Sequence, residues 1–110
     1  MGMIDLHAKL PLECAAWLAF VRSLPSAATG MAAPCVAHHR IGYRYSQRRV
    51  SDFQAMPLLD IEHKTLHNRG VHAFEGECGK TEWEMIARTL LEGIRLGVLE
   101  VNTRRAKELA

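Results

Sequence analysis

The sequence has little net charge, few cysteines and no long apolar run. Its formal net charge is only +2 over 110 residues, so composition alone does not indicate a nucleic-acid-binding protein. The three cysteines, Cys14, Cys35 and Cys78, are widely spaced with no CxxC pair, which argues against a disulfide framework and favours buried free thiols. The longest apolar run, residues 14–21, is far too short to cross a bilayer.

The N-terminus has neither a basic start nor the apolar core of a secretory signal. We therefore expect a cytoplasmic protein with no membrane partner. Hydrophobic residues make up 48% and charged residues 24% of the chain, which is an ordinary globular balance. The length suits a single domain spanning residues 1–110.

The order of predicted elements indicates an α+β domain. A helix is expected from Pro11 to Leu24, within an N-terminal unit of residues 1–24, because Pro11 suits a first turn and Pro25 ends the pattern. Two strand candidates, residues 34–38 and 54–59, enclose a polar loop at residues 40–51. Pro57 favours an edge position for the second strand.

Two further helices are expected downstream. The first runs from Asp60, a suitable N-cap, to about Asn68, and completes a ββα unit over residues 33–70. Residues 71–80 read as a loop. Thr81 and Glu84 then form a T-x-x-E capping pattern that starts a long amphipathic helix over residues 81–100. We expect four aromatic residues to lie in the core: Trp17, Phe20, Phe74 and Trp83.

Four of the six histidines fall in the ββα unit, namely His38, His39, His63 and His67. His63 and His67 are four residues apart, so a helix places both on one face. Adjacent strand residues point to opposite faces, so only one of His38 and His39 can join them. If strand and helix pack together, three imidazoles can converge on one cation. The pattern predicts a metal or catalytic site.

These residues also carry a resemblance to a known family. "AHHRIG" at residues 37–42, then "SDFQAMPLLDIEHKTLHNRG" at 51–70 and "AFE" at 73–75, resembles the HNH or ββα-metal nucleases. The likeness covers residues 24–75 and is closest to the phage recombination-enhancement nucleases of the Ref type. It implies a small ββα-metal core, a β-hairpin with a long loop plus a metal-bearing helix, flanked by an N-terminal and a long C-terminal helix.

The resemblance also implies an activity and roles for individual residues. The activity would be that of a metal-dependent DNA endonuclease or nickase acting in phage or prophage recombination or replication. His39 would be the general base, since the family places a ligand immediately before the base, although alternation alone leaves the two roles of His38 and His39 reversible. Asp52 or Gln54 would stand near the family's asparagine. One divalent ion, Mg, Mn, Ni or Zn, would bind His38 and His63, with His67 as third ligand or just behind them.

The loop "RIGYRYSQRRVS" is the predicted DNA-binding segment, because guanidinium groups match phosphates and tyrosines stack on bases or sugars. DNA is the expected partner, with a recombinase or another phage recombination protein implied by the resemblance. The predicted nucleic-acid contacts are Arg40, Tyr43, Arg44, Arg48, Arg49 and Lys64.

The chain departs from the family at four positions. Relatives often carry two CxxC knuckles that bind a structural zinc, whereas Ser26, Thr29, Leu59 and Glu62 occupy those places here. We therefore expect no structural zinc knuckle. The same loss, and the absence of an evident asparagine, keep open a non-catalytic DNA- or protein-binding module that retains an HNH fold. A purely structural metal site joining strand and helix is a further alternative.

Overall fold

The computed structural model describes residues 13–32, 34–42 and 50–110. Within them the chain is mixed α+β, as the sequence predicts. The elements are α1 (Ala15–Ser23), β1 (Val36–His39), β2 (Ala55–Leu58), α2 (Asp60–Arg69), α3 (Val71–Cys78), α4 (Glu82–Arg95) and α5 (Thr103–Leu109). No helix among these residues is both long and apolar enough to cross a membrane.

The two strands form an antiparallel pair that fixes the direction of the histidines. His38 lies opposite Met56, and His39 lies opposite Ala55. Every residue of β2 is buried, because β2 packs against α1, α2 and α4. Pro57 fits because, within the part of the chain that the structure describes, the sheet has two strands and β2 is an edge strand. The Pro57 carbonyl oxygen accepts a hydrogen bond from the Ala27 amide at 2.8 Å. The register therefore turns His38 into the interior while His39 stays partly accessible.

Residues 71–80, predicted to be a loop, instead form the helix α3 over Val71–Cys78, so that prediction was wrong. Gly70, with φ of 92°, ends α2 and lets the chain turn directly into the next helix. Gly79 closes α3 in the left-handed region that favours glycine. Phe74 is the one buried residue of α3. A helix with a single buried residue has no apolar periodicity that sequence analysis could detect.

The long helix predicted over residues 81–100 is shorter in the structure, and a separate helix follows beyond it. Its start is correct, because the Thr81 hydroxyl accepts a hydrogen bond from the Glu84 amide at 3.0 Å. Its end is wrong, because α4 stops at Arg95 and Gly97 adopts a φ of 76°. The Val98 amide then returns to the Gly93 carbonyl oxygen at 2.8 Å, and α5 starts separately.

The core forms where α1, α2, α3 and α4 meet the β2 strand. Trp17 and Phe74 are buried as predicted, and Phe20 is half-buried with its ring 5.2 Å from that of Trp17. Trp83 is 51% exposed, so its assignment to the core was wrong. The largest contributors to the core are Trp17, Val21, Met56, Leu58, Leu66, Phe74, Met85 and Ile86.

Hydrogen bonds connect the four positions at which zinc-binding cysteines would stand. The Ser26 hydroxyl donates to Glu62 Oε1 at 2.6 Å, and the Thr29 hydroxyl donates to Oε2 at 2.7 Å. The Leu59 amide donates to Oε1 at 2.8 Å. One carboxylate thus ties the segment after α1 to the first turn of α2, immediately before His63.

Replacing Glu62 with glutamine should destabilise the fold by about 1–2 kcal/mol, because an amide group cannot accept all three hydrogen bonds. Urea unfolding would measure the loss. The matched control is Glu100→Gln on the surface, which should stay within about 0.5 kcal/mol. Equal stability of the two variants would contradict a stabilising role for the hydrogen bonds of the Glu62 carboxylate.

Gly93→Ala should destabilise the chain by about 1–3 kcal/mol, because overpacking forces buried groups apart. An added Cβ would lie 2.7 Å from two ring carbons of Trp17, which is buried. Gly76→Ala in α3 is the control, since its Cβ would meet nothing within 4 Å. That control should be neutral or stabilising by up to about 1 kcal/mol. Thermal unfolding of both variants checks the contrast.

Candidate functional site

Three imidazoles converge between the hairpin and α2. His38 comes from β1, and His63 and His67 come from α2; one ring nitrogen of each lies within 4.8 Å of the others. The ring centroids are 5.1 Å apart for His38 and His63, and 4.5 Å apart for His63 and His67. The Nε2 atoms of His63 and His67 are 2.9 Å apart. Nitrogen ligands of a tetrahedral ion lie about 3.4 Å apart, so small movements of the rings would seat a cation.

The three rings differ in exposure in a way that leaves the cluster open on one side. His38 is 1% exposed, His63 is half-buried and His67 is exposed. The buried side is formed by the strand, and the open side faces solvent. A cation held there would keep coordination positions for water or for an oxygen of a substrate.

The environment of His63 favours the neutral ring that a cation requires. Burial lowers its pKa, and the neighbouring His38 and His67 rings lower it further. Asp60, at the start of the same helix, acts in the opposite direction but does not outweigh them. His63 therefore presents a lone pair more readily than an ordinary surface histidine.

A buried glutamate contacts the other nitrogen of His38. Glu82 Oε2 lies 2.8 Å from His38 Nε2, so Nδ1 is the nitrogen that remains for a cation. The same carboxylate accepts hydrogen bonds from the amides of Ile41 at 3.2 Å and Gly42 at 2.8 Å. Burial alone would raise the pKa of Glu82, but these hydrogen bonds outweigh burial and hold the pKa below its ordinary value.

Sequence reasoning missed Glu82 for a physical reason. It lies 44 residues from His38 in the chain and occupies the first turn of α4, where acidic residues are favoured by the helix dipole alone. A glutamate at that position is typical of a solvated charge near a helix N-terminus. Only the packing of α4 against the hairpin shows that its side chain points inward.

His39 has its own buried carboxylate. Its Nε2 lies 2.8 Å from Asp52 Oδ1, and Asp52 Oδ2 accepts a hydrogen bond from the Cys14 amide at 2.8 Å. The His39 side chain is 32% exposed, whereas that of Asp52 is 3% exposed. The structure thus brings together the predicted base and Asp52, one of the two candidates for the place of the family's asparagine, and leaves His39 Nδ1 as the remaining ring nitrogen.

Gln54, the other candidate for the place of the family's asparagine, contacts Arg40. Its side-chain oxygen accepts from Arg40 Nε at 3.3 Å, and its carbonyl oxygen accepts from the Arg40 amide at 3.0 Å. Gln54 therefore orients an arginine next to the histidines rather than contacting a histidine ring itself.

The predicted DNA contacts divide into two groups. Tyr43, Arg44, Arg48 and Arg49 lie outside the described residues. Lys64 is exposed and pairs with Asp60 at 2.8 Å, which offsets its charge. Arg40 lies over the exposed ring of Trp83, 4.6 Å from its centroid, and donates a hydrogen bond to the Gly42 carbonyl oxygen.

A comparison with protein-family models gives one match. A model described as "Protein of unknown function (DUF968)" matches residues 8–97. No curated protein and no solved structure matches the chain. The matched range contains every histidine of the cluster as well as Asp52 and Glu82.

The cluster should bind one divalent cation per chain. Titration with Co²⁺ should give the visible absorption of nitrogen-ligated cobalt, and Zn²⁺ should displace it, because borderline ions prefer imidazole. His63→Ala should abolish the signal. The control is His72→Ala, which removes an exposed histidine outside the cluster and should leave the signal unchanged. Equal binding by both variants would contradict the site.

Proposed function

We propose that this chain, which belongs to the DUF968 family of proteins of unknown function, is a metal-dependent DNA endonuclease or nickase of the HNH type. Such an enzyme hydrolyses phosphodiester bonds. The resemblance to the phage recombination-enhancement nucleases extends the proposal to phage or prophage recombination or replication, with a recombinase as a second partner.

One observation supports this proposal most strongly. Three imidazoles form a cluster, and His39, the residue after His38, has its Nε2 next to the buried carboxylate of Asp52. A cation in the cluster would neutralise charge on a bound phosphate and on the departing 3′ oxygen. The adjacent His39 would supply the base that such a hydrolysis needs.

His39 and Asp52 fit the task of activating water. Asp52 accepts at Nε2, so a neutral His39 keeps its lone pair on Nδ1, where it can take a proton from water. The carboxylate would then stabilise the imidazolium that forms, and the Cys14 amide keeps the carboxylate itself in place. The partial exposure of His39 leaves a path for water and substrate.

Arg40 supports a polyanionic substrate. Among the described residues its side chain donates hydrogen bonds to Gln54 and to the Gly42 carbonyl oxygen, both uncharged, so these contacts leave its positive charge available for a phosphate. It directly follows His39 and opens the predicted arginine loop. We propose that Arg40 contacts the DNA backbone next to the scissile bond, which makes binding dependent on salt.

His39→Ala should lower the nicking of supercoiled plasmid by about 10²–10⁴-fold, the usual contribution of a general base. The assay would compare Mn²⁺, Ni²⁺, Zn²⁺ and Mg²⁺, with His72→Ala as the matched control at wild-type activity. DNA binding, measured separately by gel shift, should persist in His39→Ala because its ring is not part of the cation cluster.

Two results would contradict the proposal. One is equal cleavage by wild type and His39→Ala, which would mean a contaminating nuclease. The other is DNA binding without any hydrolysis that survives both His38→Ala and His63→Ala. The second result would identify a binding module that retains the fold.

A further inference from the structure

We propose that Glu82 is a positioning residue of the histidine cluster. Its buried carboxylate engages Nε2 of His38, which leaves Nδ1 for a cation shared with His63 and His67, and it also holds the turn after β1. This inference rests on the cation site of the proposed function. It adds a residue from α4 that neither the histidine pattern nor the resemblance includes.

The hydrogen bonds of Glu82 make it a support rather than a ligand. Oε2 faces His38 Nε2 and the Ile41 amide, and Oε1 accepts from the Gly42 amide. Both oxygens are therefore engaged, and Glu82 is not among the residues whose ligand atoms converge. The backbone of Glu82 is also held in place, because its amide donates a hydrogen bond to Glu75 Oε2 at 2.7 Å.

The carboxylate selects one tautomer of His38. A neutral imidazole carries its proton on either nitrogen, and a carboxylate can only accept. A neutral His38 must therefore donate from Nε2, which leaves the lone pair on Nδ1 for a cation. Carboxylates that support metal-bound histidines in this way typically contribute about 10–100-fold to metal affinity.

Gly42 provides an independent way to disturb the same carboxylate. A Cβ at this position would lie 2.8 Å from Glu82 Oε1 and 3.3 Å from Val71 Cγ1. The Glu82 side chain is only 3% exposed, so it has little room to retreat. Gly42→Ala should therefore displace the carboxylate while leaving all three histidines and Glu82 itself in the sequence.

The test measures cation affinity and the His38 tautomer in the full chain. Glu82→Gln should weaken Co²⁺ and Zn²⁺ binding by about 10–100-fold, because an amide that accepts from His38 turns its own N–H groups towards the backbone amides. In the metal-free protein, long-range ¹H–¹⁵N spectra should show the Nε2–H tautomer of His38 in the wild type and a mixture in the variant. Glu84→Gln, on the exposed side of α4, should stay within about twofold of the wild type.

Gly42→Ala keeps the test decisive if Glu82→Gln does not fold, and it should weaken cation binding by about tenfold. Wild-type binding that neither variant changes, together with an unchanged tautomer, would overturn the role of Glu82 and leave the cation site standing. A wild-type chain that binds neither cation would overturn the cation site and the role of Glu82 together.

Discussion

The site depends on the burial of one imidazole between two elements that are far apart in sequence. His38 is almost fully enclosed, and an enclosed polar ring is costly unless both nitrogens have partners. Glu82 contacts Nε2 from the N-terminus of α4, and the ring centroids of His63 and His67 lie 5.1 and 5.6 Å from that of His38. The packing of α2 and α4 against the two paired strands therefore brings the three histidines together.

The adjacent histidines show how one strand can serve two chemical purposes. Alternation turns His38 inward and His39 towards the surface, and each has Nε2 held by a buried carboxylate. The inner ring is rigid and enclosed, which suits a metal ligand. The outer ring is partly accessible, which suits a group that exchanges protons with water. The same local geometry thus fits both parts of the proposed hydrolytic site.

The histidine cluster was predictable from sequence because it depends on two local patterns, the helical i,i+4 spacing and the alternation of a strand. An i,i+4 pair on α2 and the alternation of β1 are sufficient to bring His38, His63 and His67 together once the two elements pack. Glu82 and the Arg40–Trp83 contact were not predictable, because both depend on how α4 docks on the hairpin. The helix α3 was missed because one buried residue, Phe74, gives no detectable period. The end of α4 was missed because Gly97 breaks an otherwise continuous pattern.

The most direct test of the central claim is an anomalous difference map from crystals grown with Mn²⁺, Ni²⁺ or Zn²⁺. The account predicts a single strong peak at about 2.0–2.3 Å from His38 Nδ1 and from ring nitrogens of His63 and His67, with Glu82 still bonded to Nε2. A map with no peak at these rings, or with the three side chains turned apart into solvent, would contradict it.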